Sequence, residues 1–177
     1  MDYSKEFSVM TTNKRPSWKE YYMSIAEQVA SRSTCDRKHV GAIIVVNNVI
    51  VSTGYNGAPR GLKHCDEIGH ELKLMGGRES CVRTIHAEAN AIIQAARSGV
   101  KIQGGSLYTT ASPCYDCMKL IINAGIVEIY CKEFYPSRYG MSEDIPQLGR
   151  SLGIKFHFIH ENTDADTKEE DPKEDSK

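Results

Sequence analysis

The chain has 177 residues and a formal net charge of −1, with 40% apolar and 25% charged residues. These values are typical of a single globular domain with a sizeable core. No apolar run approaches the roughly 18 residues of a membrane span, so we expect no membrane partner. The polar segment 1–15 lacks the apolar run of a secretory signal, which predicts a cytoplasmic protein.

Charge is unevenly distributed along the chain. Residues 161–177 contain eight acidic residues and three lysines, a net charge of −5, which leaves +4 on the remainder. The low apolar content of this end predicts a disordered acidic tail, and we expect a flexible segment at 1–16 and one domain at 17–160. A charge of +4 indicates a mild preference for an anionic ligand. It is far from the basic stripe of a duplex binder, so we expect no nucleic-acid partner.

The apolar patterns predict elements in the order α-β-β-α-β-α-β-α-β. Their bounds, in chain order, are helix 17–31, strands 40–46 and 49–53, helix 86–98, strand 106–110, helix 114–124, strand 126–131, helix 145–152 and strand 154–159. Strands that alternate with helices after an opening pair predict an α/β fold. In this fold a mixed sheet is covered by helices on both faces.

Local signals support several of these bounds. Ser17 and Glu20 form an S-x-x-E capping box, and Asn47-Asn48 is typical of a tight hairpin turn. The Gly-rich stretch 54–83 has the character of a loop, yet it is too long for an ordinary connection. We therefore expect it to be functional or to be held by something other than a hydrophobic core.

Two short motifs carry the chemistry, and each begins a predicted helix: His86-Ala87-Glu88 and Pro113-Cys114-Tyr115-Asp116-Cys117. Cys114 and Cys117 are three residues apart, which places both sulfurs on one side of a helical turn. With His86 they form an N,S,S set that leaves one tetrahedral position open, as in catalytic zinc sites. Zinc in such a site lowers the pKa of a bound water, and the helix N-termini favour thiolates.

Glu88 lies two residues after His86, where its carboxylate can reach that water without binding the metal. It can then carry a proton to a ring nitrogen and to a departing amine. Together the motifs form the H-x-E and P-C-x-x-C signature of zinc deaminases. Taken singly, the C-x-x-C pair is also compatible with redox chemistry, Glu88 with a helix N-terminal carboxylate, and His86 with a core histidine.

The chain resembles the deoxycytidylate (dCMP) deaminases of the cytidine deaminase superfamily over residues 18–160. The resemblance is carried by Cys35-Asp36-Arg37, Val40-Gly41-Ala42, Gly54-Tyr55-Asn56-Gly57, Cys81-Val82-Arg83-Thr84-Ile85-His86-Ala87-Glu88 and the Pro113 to Cys117 motif. It implies a three-layer fold with a five-stranded mixed sheet and helices on both faces. It also implies hydrolysis of dCMP to dUMP and ammonia, with zinc on His86, Cys114 and Cys117 and Glu88 as the proton shuttle.

The same resemblance implies regulation of the activity. Members commonly form homohexamers that dCTP activates and dTTP inhibits, with Mg on the bound triphosphate. The segment Gly54, Tyr55, Asn56 and Gly57 matches the region that binds the effector nucleotide. Arg97 matches a helix position used at subunit contacts and in allosteric control.

Candidate substrate contacts are Arg37, Asn56 and Tyr135. Arginine offers a planar set of donors that suits a phosphate, and Tyr135 offers a ring face or a hydroxyl at the pocket mouth. Arg37 is also consistent with an exposed charge, and Tyr135 is as consistent with simple packing.

A further set of possible metal ligands falls in or beside the stretch 54–83. Cys35, Cys65 and Cys81 with His70 would complete a closed structural zinc site, and related bacterial and phage enzymes have a similar set of positions. Such a site would anchor a segment that lacks a core. The alternative is that these are separately buried thiols, as we expect for Cys131 on its predicted strand.

Two other functions remain open from the sequence. The same zinc chemistry could act on free cytidine, a tRNA base or a pteridine-like ring, although a tRNA enzyme would be expected to carry a more basic surface. A zinc-stabilised binding module without catalysis would need no Glu88.

Overall fold

The structure, a computed structural model, describes residues 15–75, 77–135 and 144–159. The predicted acidic tail lies outside these residues, as does the predicted flexible N-terminal segment except for Arg15 and Pro16. Within the described residues, no helix combines the length and the apolar character needed to cross a membrane.

The helices are α1 Trp18–Ala30, α2 Cys65–Ile68, α3 Ala87–Ser98, α4 Tyr115–Asn123 and α5 Asp144–Ser151. The strands are β1 Gly41–Val46, β2 Val49–Tyr55, β3 Leu72–Met75, β4 Arg78–Cys81, β5 Ser106–Ala111, β6 Glu128–Glu133 and β7 Lys155–Phe158. Every element predicted from the sequence is present, with each end within two residues of its predicted position. The elements α2, β3 and β4 were not predicted.

The main sheet has five strands in the order β2-β1-β5-β6-β7. β1 is antiparallel to both β2 and β5, whereas β6 is parallel to both β5 and β7, so the sheet is mixed as predicted. The turn between β1 and β2 consists of Asn47 and Asn48, whose φ angles of 50° and 59° are both left-handed. Asparagine tolerates this conformation well, and two such residues give a tight hairpin turn.

Helices cover both faces of the sheet. Ile43 and Val45 of β1 pack with α1 in one buried cluster, while Ala42 and Ile44 of the same strand pack with α3 in another. Because successive strand residues point to opposite faces, the two clusters lie on opposite sides of the sheet. The second cluster also contains residues of α4 and α5, which completes a three-layer arrangement and confirms the predicted fold class.

Two glycines allow helices to approach the sheet closely. A Cβ atom on Gly41 would overlap the backbone of Ala26 and Ala30 in α1. A Cβ atom on Gly54 would likewise overlap the carbonyl oxygen of Ala87 in α3. The second contact holds the beginning of α3 against β2, and α3 carries the first chemical motif.

The stretch predicted as an irregular loop contains local structure of its own. It holds the short helix α2 and an antiparallel hairpin in which Leu72 pairs with Cys81 and Met75 with Arg78. Leu74 on this hairpin is 74% exposed, so the strands do not bury an apolar face. This explains why apolar periodicity failed to reveal them.

Candidate active site

Two helix N-termini meet at the proposed catalytic centre. His86 is the N-cap residue of α3 and Cys114 is the N-cap residue of α4, and both have extended backbone conformations. Helices α3 and α4 are in contact, and α4 follows β5 directly through Ser112 and Pro113. The core that joins the two helices to the sheet therefore fixes the separation of the two motifs.

The three predicted zinc ligands come together at this point. His86 Nδ1 lies 3.4 Å from Cys114 Sγ and 3.5 Å from Cys117 Sγ. With metal bonds of about 2.3 Å to sulfur and about 2.0–2.1 Å to nitrogen, a tetrahedral zinc places nitrogen and sulfur about 3.6 Å apart. The donor types and their spacing thus fit a zinc ion with one open position.

The two thiols of this group share a hydrogen bond. That bond lowers the pKa of Cys114 and raises the pKa of Cys117, because one sulfur holds the proton for both. The neighbouring His86 side chain also lowers the pKa of Cys114. A buried thiolate beside an imidazole nitrogen is a charge arrangement that a divalent zinc ion stabilises.

Glu88 lies in the first turn of α3 and is only 3% exposed. Burial raises the pKa of this carboxyl, while the nearby His86 opposes the shift. The compact group of possible metal ligands comprises His86, Cys114 and Cys117 and does not include Glu88. Its position beside the ligands is suitable for proton transfer.

A cavity of about 230 Å³ joins this centre to the surface. His86, Glu88 and Cys114 line one part of it, and the more exposed Arg37 and Tyr135 line another. The cavity therefore connects the group of metal ligands to cationic and aromatic side chains in one continuous space.

The three predicted substrate contacts all line this cavity. The Arg37 guanidinium is exposed, and its Nη2 donates a 2.8 Å hydrogen bond to the carbonyl oxygen of Glu79. The buried Asn56 side chain accepts a hydrogen bond from the Val40 amide at 2.8 Å and donates one to the Lys38 carbonyl at 2.9 Å. Direct contact of these residues with a substrate stays a prediction, but Asn56 also fixes the backbone around Lys38.

Tyr135 is held at the cavity through its main chain. Its amide donates to Ser112 Oγ at 2.8 Å, and that hydroxyl donates to the Tyr135 carbonyl at 3.2 Å. Tyr135 as a whole is 46% exposed. It is therefore accessible to a ligand even though its backbone is fixed.

The predicted effector segment, Gly54 to Gly57, includes the end of β2, and hydrogen bonds connect it to α3 and to the residue before His86. The Tyr55 carbonyl accepts a hydrogen bond from Asn90 Nδ2 at 2.8 Å, and Gly57 exchanges two backbone hydrogen bonds with Ile85. Ile85 immediately precedes His86. The intramolecular contacts of this segment thus give it a packing role, and its nucleotide-binding role stays a prediction. Arg97 is exposed near the end of α3, and its role in subunit contacts and regulation also stays a prediction.

The second set of candidate ligands also converges. The ligand atoms of Cys35, Cys65, His70 and Cys81 all lie within 4.8 Å of one another. Cys65 Sγ is 3.6 Å from Cys81 Sγ, and Cys35 Sγ is 3.7 Å from His70 Nδ1. Tetrahedral zinc would place two sulfurs about 3.8 Å apart and a sulfur and a nitrogen about 3.6 Å apart. These side chains form one cluster, whereas Cys131 of β6 is buried in the main hydrophobic core, as predicted.

Charged and polar neighbours support this second cluster. Asp36 Oδ1 lies 3.0 Å from His70 Nε2, so a carboxylate orients the ring whose other nitrogen faces the sulfurs. Burial raises the pKa of Cys65 to about 12. Burial also acts to raise the pKa of Cys81, but hydrogen bonds from backbone amides and from Cys65 outweigh it and lower this pKa to about 7.

Sequence reasoning missed several cavity residues, of which Lys38 is the most informative. Its Nζ lies 2.7 Å from Glu133 Oε1 and 4.4 Å from the centre of the Tyr135 ring. Lys38 directly follows the Cys35-Asp36-Arg37 segment, and this adjacency was a signal that could have identified it. The other missed lining residues include Glu79, Ser80, Thr84 and Ser112.

Comparison with known proteins relates this site to a family. The family model described as the cytidine and deoxycytidylate deaminase zinc-binding region matches residues 16–133. ComE operon protein 2 of Bacillus subtilis (strain 168) is 40% identical over 136 residues, which cover 77% of this chain and 70% of that protein. The deoxycytidylate deaminase of Mycobacterium phage D29 is 40% identical over 128 residues, which cover 67% of this chain and 98% of that protein.

A solved structure gives the same relationship in three dimensions. The crystal structure of dCMP deaminase from the cyanophage S-TIM5 in complex with dCMP and dUMP superposes with a TM-score of 0.67 and 35% sequence identity. The match covers 82% of this chain and 99% of that chain. The likeness therefore extends over nearly the whole of the phage enzyme.

Proposed function

The chain belongs to the cytidine and deoxycytidylate deaminase family, and on that premise we propose that it hydrolyses dCMP to dUMP and ammonia. The observation that carries the proposal is the convergence of the ligand atoms of His86, Cys114 and Cys117 at a cavity that His86, Cys114 and the buried Glu88 line. The choice of dCMP is supported by relatives named deoxycytidylate deaminase and by the related phage structure with dCMP and dUMP.

The reaction divides between the metal and Glu88. Zinc held by His86, Cys114 and Cys117 would act as a Lewis acid that lowers the pKa of a water at the open position. Glu88 is placed to accept one proton of the attacking water and pass it to the ring nitrogen. It then takes up the second proton of the same water and transfers it to the departing amine. One water is consumed, its oxygen becomes the ring carbonyl, and ammonia leaves.

A substrate panel tests the proposal. The zinc-loaded protein is assayed for ammonia release from dCMP, deoxycytidine, cytidine and a stem-loop RNA. We expect dCMP to give the highest kcat/KM, because the cavity combines the catalytic group with two cations suited to a phosphate. Equal kcat/KM values for dCMP and deoxycytidine would reject the nucleotide assignment and keep the deaminase assignment. Ammonia release from the RNA and from none of the other three compounds would reject both the proposed substrate class and the expected absence of a nucleic-acid partner.

We also propose that Cys35, Cys65, His70 and Cys81 bind a second, structural zinc ion. The support is a complete set of four ligands at tetrahedral spacing, together with a carboxylate behind His70. The four ligands come from the loop after α1, from α2 and its following loop, and from β4. A zinc ion would join these short elements in place of a hydrophobic core.

The proposal extends to regulation. We propose that dCTP activates and dTTP inhibits the enzyme, each with Mg, at a site that includes Gly54 to Gly57, and that the assembly is a homohexamer with Arg97 near a subunit contact. The support is the family resemblance and the bridge between Gly57 and Ile85, the residue before His86. An effector acts only through unequal affinity for two enzyme states, so both nucleotides should change the dCMP saturation curve.

Kinetics and sedimentation test these regulatory points separately. We expect MgdCTP to raise and MgdTTP to lower the rate at low dCMP, and sedimentation velocity to give a hexamer. Hyperbolic kinetics that neither triphosphate changes would reject the regulation. A monomer at assay concentration would reject the assembly.

The proposed location is the cytoplasm. All six cysteines of the chain are free thiols in the structure, and five of them belong to the two ligand groups. Thiolate ligands persist in a reducing compartment, which the cytoplasm provides.

A further inference from the structure

We infer that Lys38 is the residue that selects a nucleotide over a nucleoside, by binding the 5′-phosphate in exchange for its ion pair with Glu133. This inference rests on the proposed function and names the residue responsible for its substrate class. Lys38 lines the same cavity as Glu88, and neither the family comparison nor the sequence motifs assign it a role.

The backbone of Lys38 is held firmly at the cavity. The Asn56 side chain donates to the Lys38 carbonyl at 2.9 Å and accepts from the Val40 amide at 2.8 Å, so it fixes the chain on both sides of His39. The backbone amide of Asn56 also donates a hydrogen bond to the Val40 carbonyl at 3.2 Å. The point from which the Lys38 side chain extends is therefore fixed, while the long side chain itself has several rotatable bonds.

The ammonium group of Lys38 is placed so that it can leave Glu133 and bind a phosphate in the cavity. It lies 2.7 Å from Glu133 Oε1, and the side chain of Glu133 is 56% exposed whereas that of Lys38 is 25% exposed. An ion pair with a half-exposed carboxylate contributes a modest net free energy, because water competes with the lysine for that carboxylate. Exchange of this carboxylate for a phosphate dianion, which carries the larger charge, is favourable.

The Tyr135 ring keeps the Lys38 ammonium beside the cavity during this exchange. Lys38 Nζ lies 4.4 Å from the ring centre, within cation–π distance. Tyr135 also lines the cavity, and its main chain is bonded to Ser112. The ring thus holds the ammonium at the cavity and leaves its N–H groups available to an anion.

The other cation of the cavity, Arg37, already has a partner on the hairpin of β3 and β4. Among the described residues that line the cavity, Arg37 is the one arginine and Lys38 is the one lysine. Arg37 Nη2 already donates to the Glu79 carbonyl on the hairpin at 2.8 Å, so its guanidinium supports β4. A neutral nucleoside offers no charge to attract Lys38 away from Glu133. The exchange therefore favours a nucleotide.

Paired variants test the inference through the ratio of kcat/KM for dCMP to kcat/KM for deoxycytidine. Lys38→Met should lower the value for dCMP on the order of tenfold, as expected for loss of a charged hydrogen bond, and leave that for deoxycytidine unchanged. Glu133→Gln should raise the value for dCMP, because it removes the competing carboxylate, and Lys38→Arg should retain part of the selectivity. Lys155→Met, at an exposed position on β7, is the matched control and should change neither value.

Two results of the paired-variant experiment would overturn the inference. If the Lys38–Glu133 pair only fastens the chain to the end of β6, Lys38→Met and Glu133→Gln will both lower the two kcat/KM values by the same factor, and the ratio will stay constant. That result would overturn the inference. So would an increase of the ratio in Lys38→Met.

Calorimetry separates failure of this inference from failure of the proposed function. Zinc-loaded wild type and Lys38→Met are titrated with dUMP and with deoxyuridine, which differ only in the phosphate. We expect wild type to bind dUMP more tightly and Lys38→Met to lose most of this preference. If wild type shows the preference but releases no ammonia from dCMP, the proposed function fails and the binding comparison still decides the role of Lys38. Equal affinity of wild type for both ligands would overturn the role of Lys38.

Discussion

The Nδ1 atom of His86 lies 3.4 Å from the Sγ atom of Cys114, although the two residues are 28 positions apart in the chain. Each is the N-cap of a helix, and the two helices share a buried core that includes Ala91 and Met118. The ligand spacing is therefore determined by helix packing instead of by loop conformation. This rigidity means that a metal ion can bind with little rearrangement of the backbone.

Glu88→Gln should keep the catalytic zinc and lose most of the activity. The amide has nearly the same shape as the carboxyl but cannot accept a proton, and general acid–base catalysis contributes typically about 10²- to 10⁴-fold to a rate. Metal analysis and steady-state kinetics of the purified variant provide the measurement. Cys114→Ser is the control and should lose both zinc and activity. A Glu88→Gln enzyme that lacks the zinc, or that retains the wild-type kcat, would show that Glu88 has another role.

Cys65→Ser should remove one of two zinc ions per chain. The variant deletes a buried ligand of the second cluster and leaves His86, Cys114 and Cys117 intact. We expect lower thermal stability, because the metal joins short elements that have little core of their own. Metal analysis and thermal unfolding check this. Cys131→Ala serves as the control and should retain both ions. One zinc per chain in the wild type, with Cys65→Ser equally stable, would contradict the second site.

Gly54→Ala should destabilise the fold whether or not an effector nucleotide is present. The added Cβ would overlap the Ala87 carbonyl and the Ala91 amide in α3, and overpacking of this kind costs about 1–3 kcal/mol. Urea unfolding gives the free energy of unfolding. Gly57→Ala is the comparison, since the nearest atom to its Cβ is the end of the Thr34 side chain, 3.0 Å away, and a smaller loss is expected. Full stability of Gly54→Ala with altered response to dTTP would point instead to a regulatory role alone.

Asn56→Ala should also lower stability in the absence of substrate. The substitution removes two side-chain hydrogen bonds and leaves the Val40 amide without its acceptor, and an unsatisfied buried group costs about 1–3 kcal/mol. Asn123→Ala, at an exposed position at the end of α4, is the matched control. Urea unfolding of the two variants is the measurement. An Asn56→Ala protein as stable as Asn123→Ala would mean that Asn56 acts only on the ligand.

The sequence predicted those parts of the fold that have a local cause. The capping box at Ser17 and Glu20 is formed as expected, with the Glu20 carboxylate 2.7 Å from the Ser17 amide. Asn47 and Asn48 form the expected turn. The H-x-E and C-x-x-C motifs were informative because chemistry restricts which residues can hold zinc. Each also begins a predicted helix, and the structure places both at helix N-termini.

What the sequence could not reveal depends on contacts between distant parts of the chain. The hairpin of β3 and β4 has exposed side chains such as Leu74, so it lacks the alternating pattern that identifies a half-buried strand. The ion pair of Lys38 could not be predicted either, since its partner Glu133 is on β6 and the pairing depends on where that strand ends. The sequence likewise shows the polar amide of Asn56 but not the backbone groups of Val40 and Lys38 that it binds.

Oxygen-18 labelling tests the central claim most directly. The zinc-loaded protein is incubated with dCMP in water enriched in oxygen-18, and the pyrimidine product and ammonia are measured by mass spectrometry and a coupled assay. We expect one dUMP that carries one solvent oxygen as the carbonyl formed at the deaminated ring carbon, and one ammonia, for each dCMP consumed, with most of the reaction lost in Glu88→Gln. Unchanged dCMP after incubation with protein that contains zinc at His86, Cys114 and Cys117 would contradict the proposed deaminase.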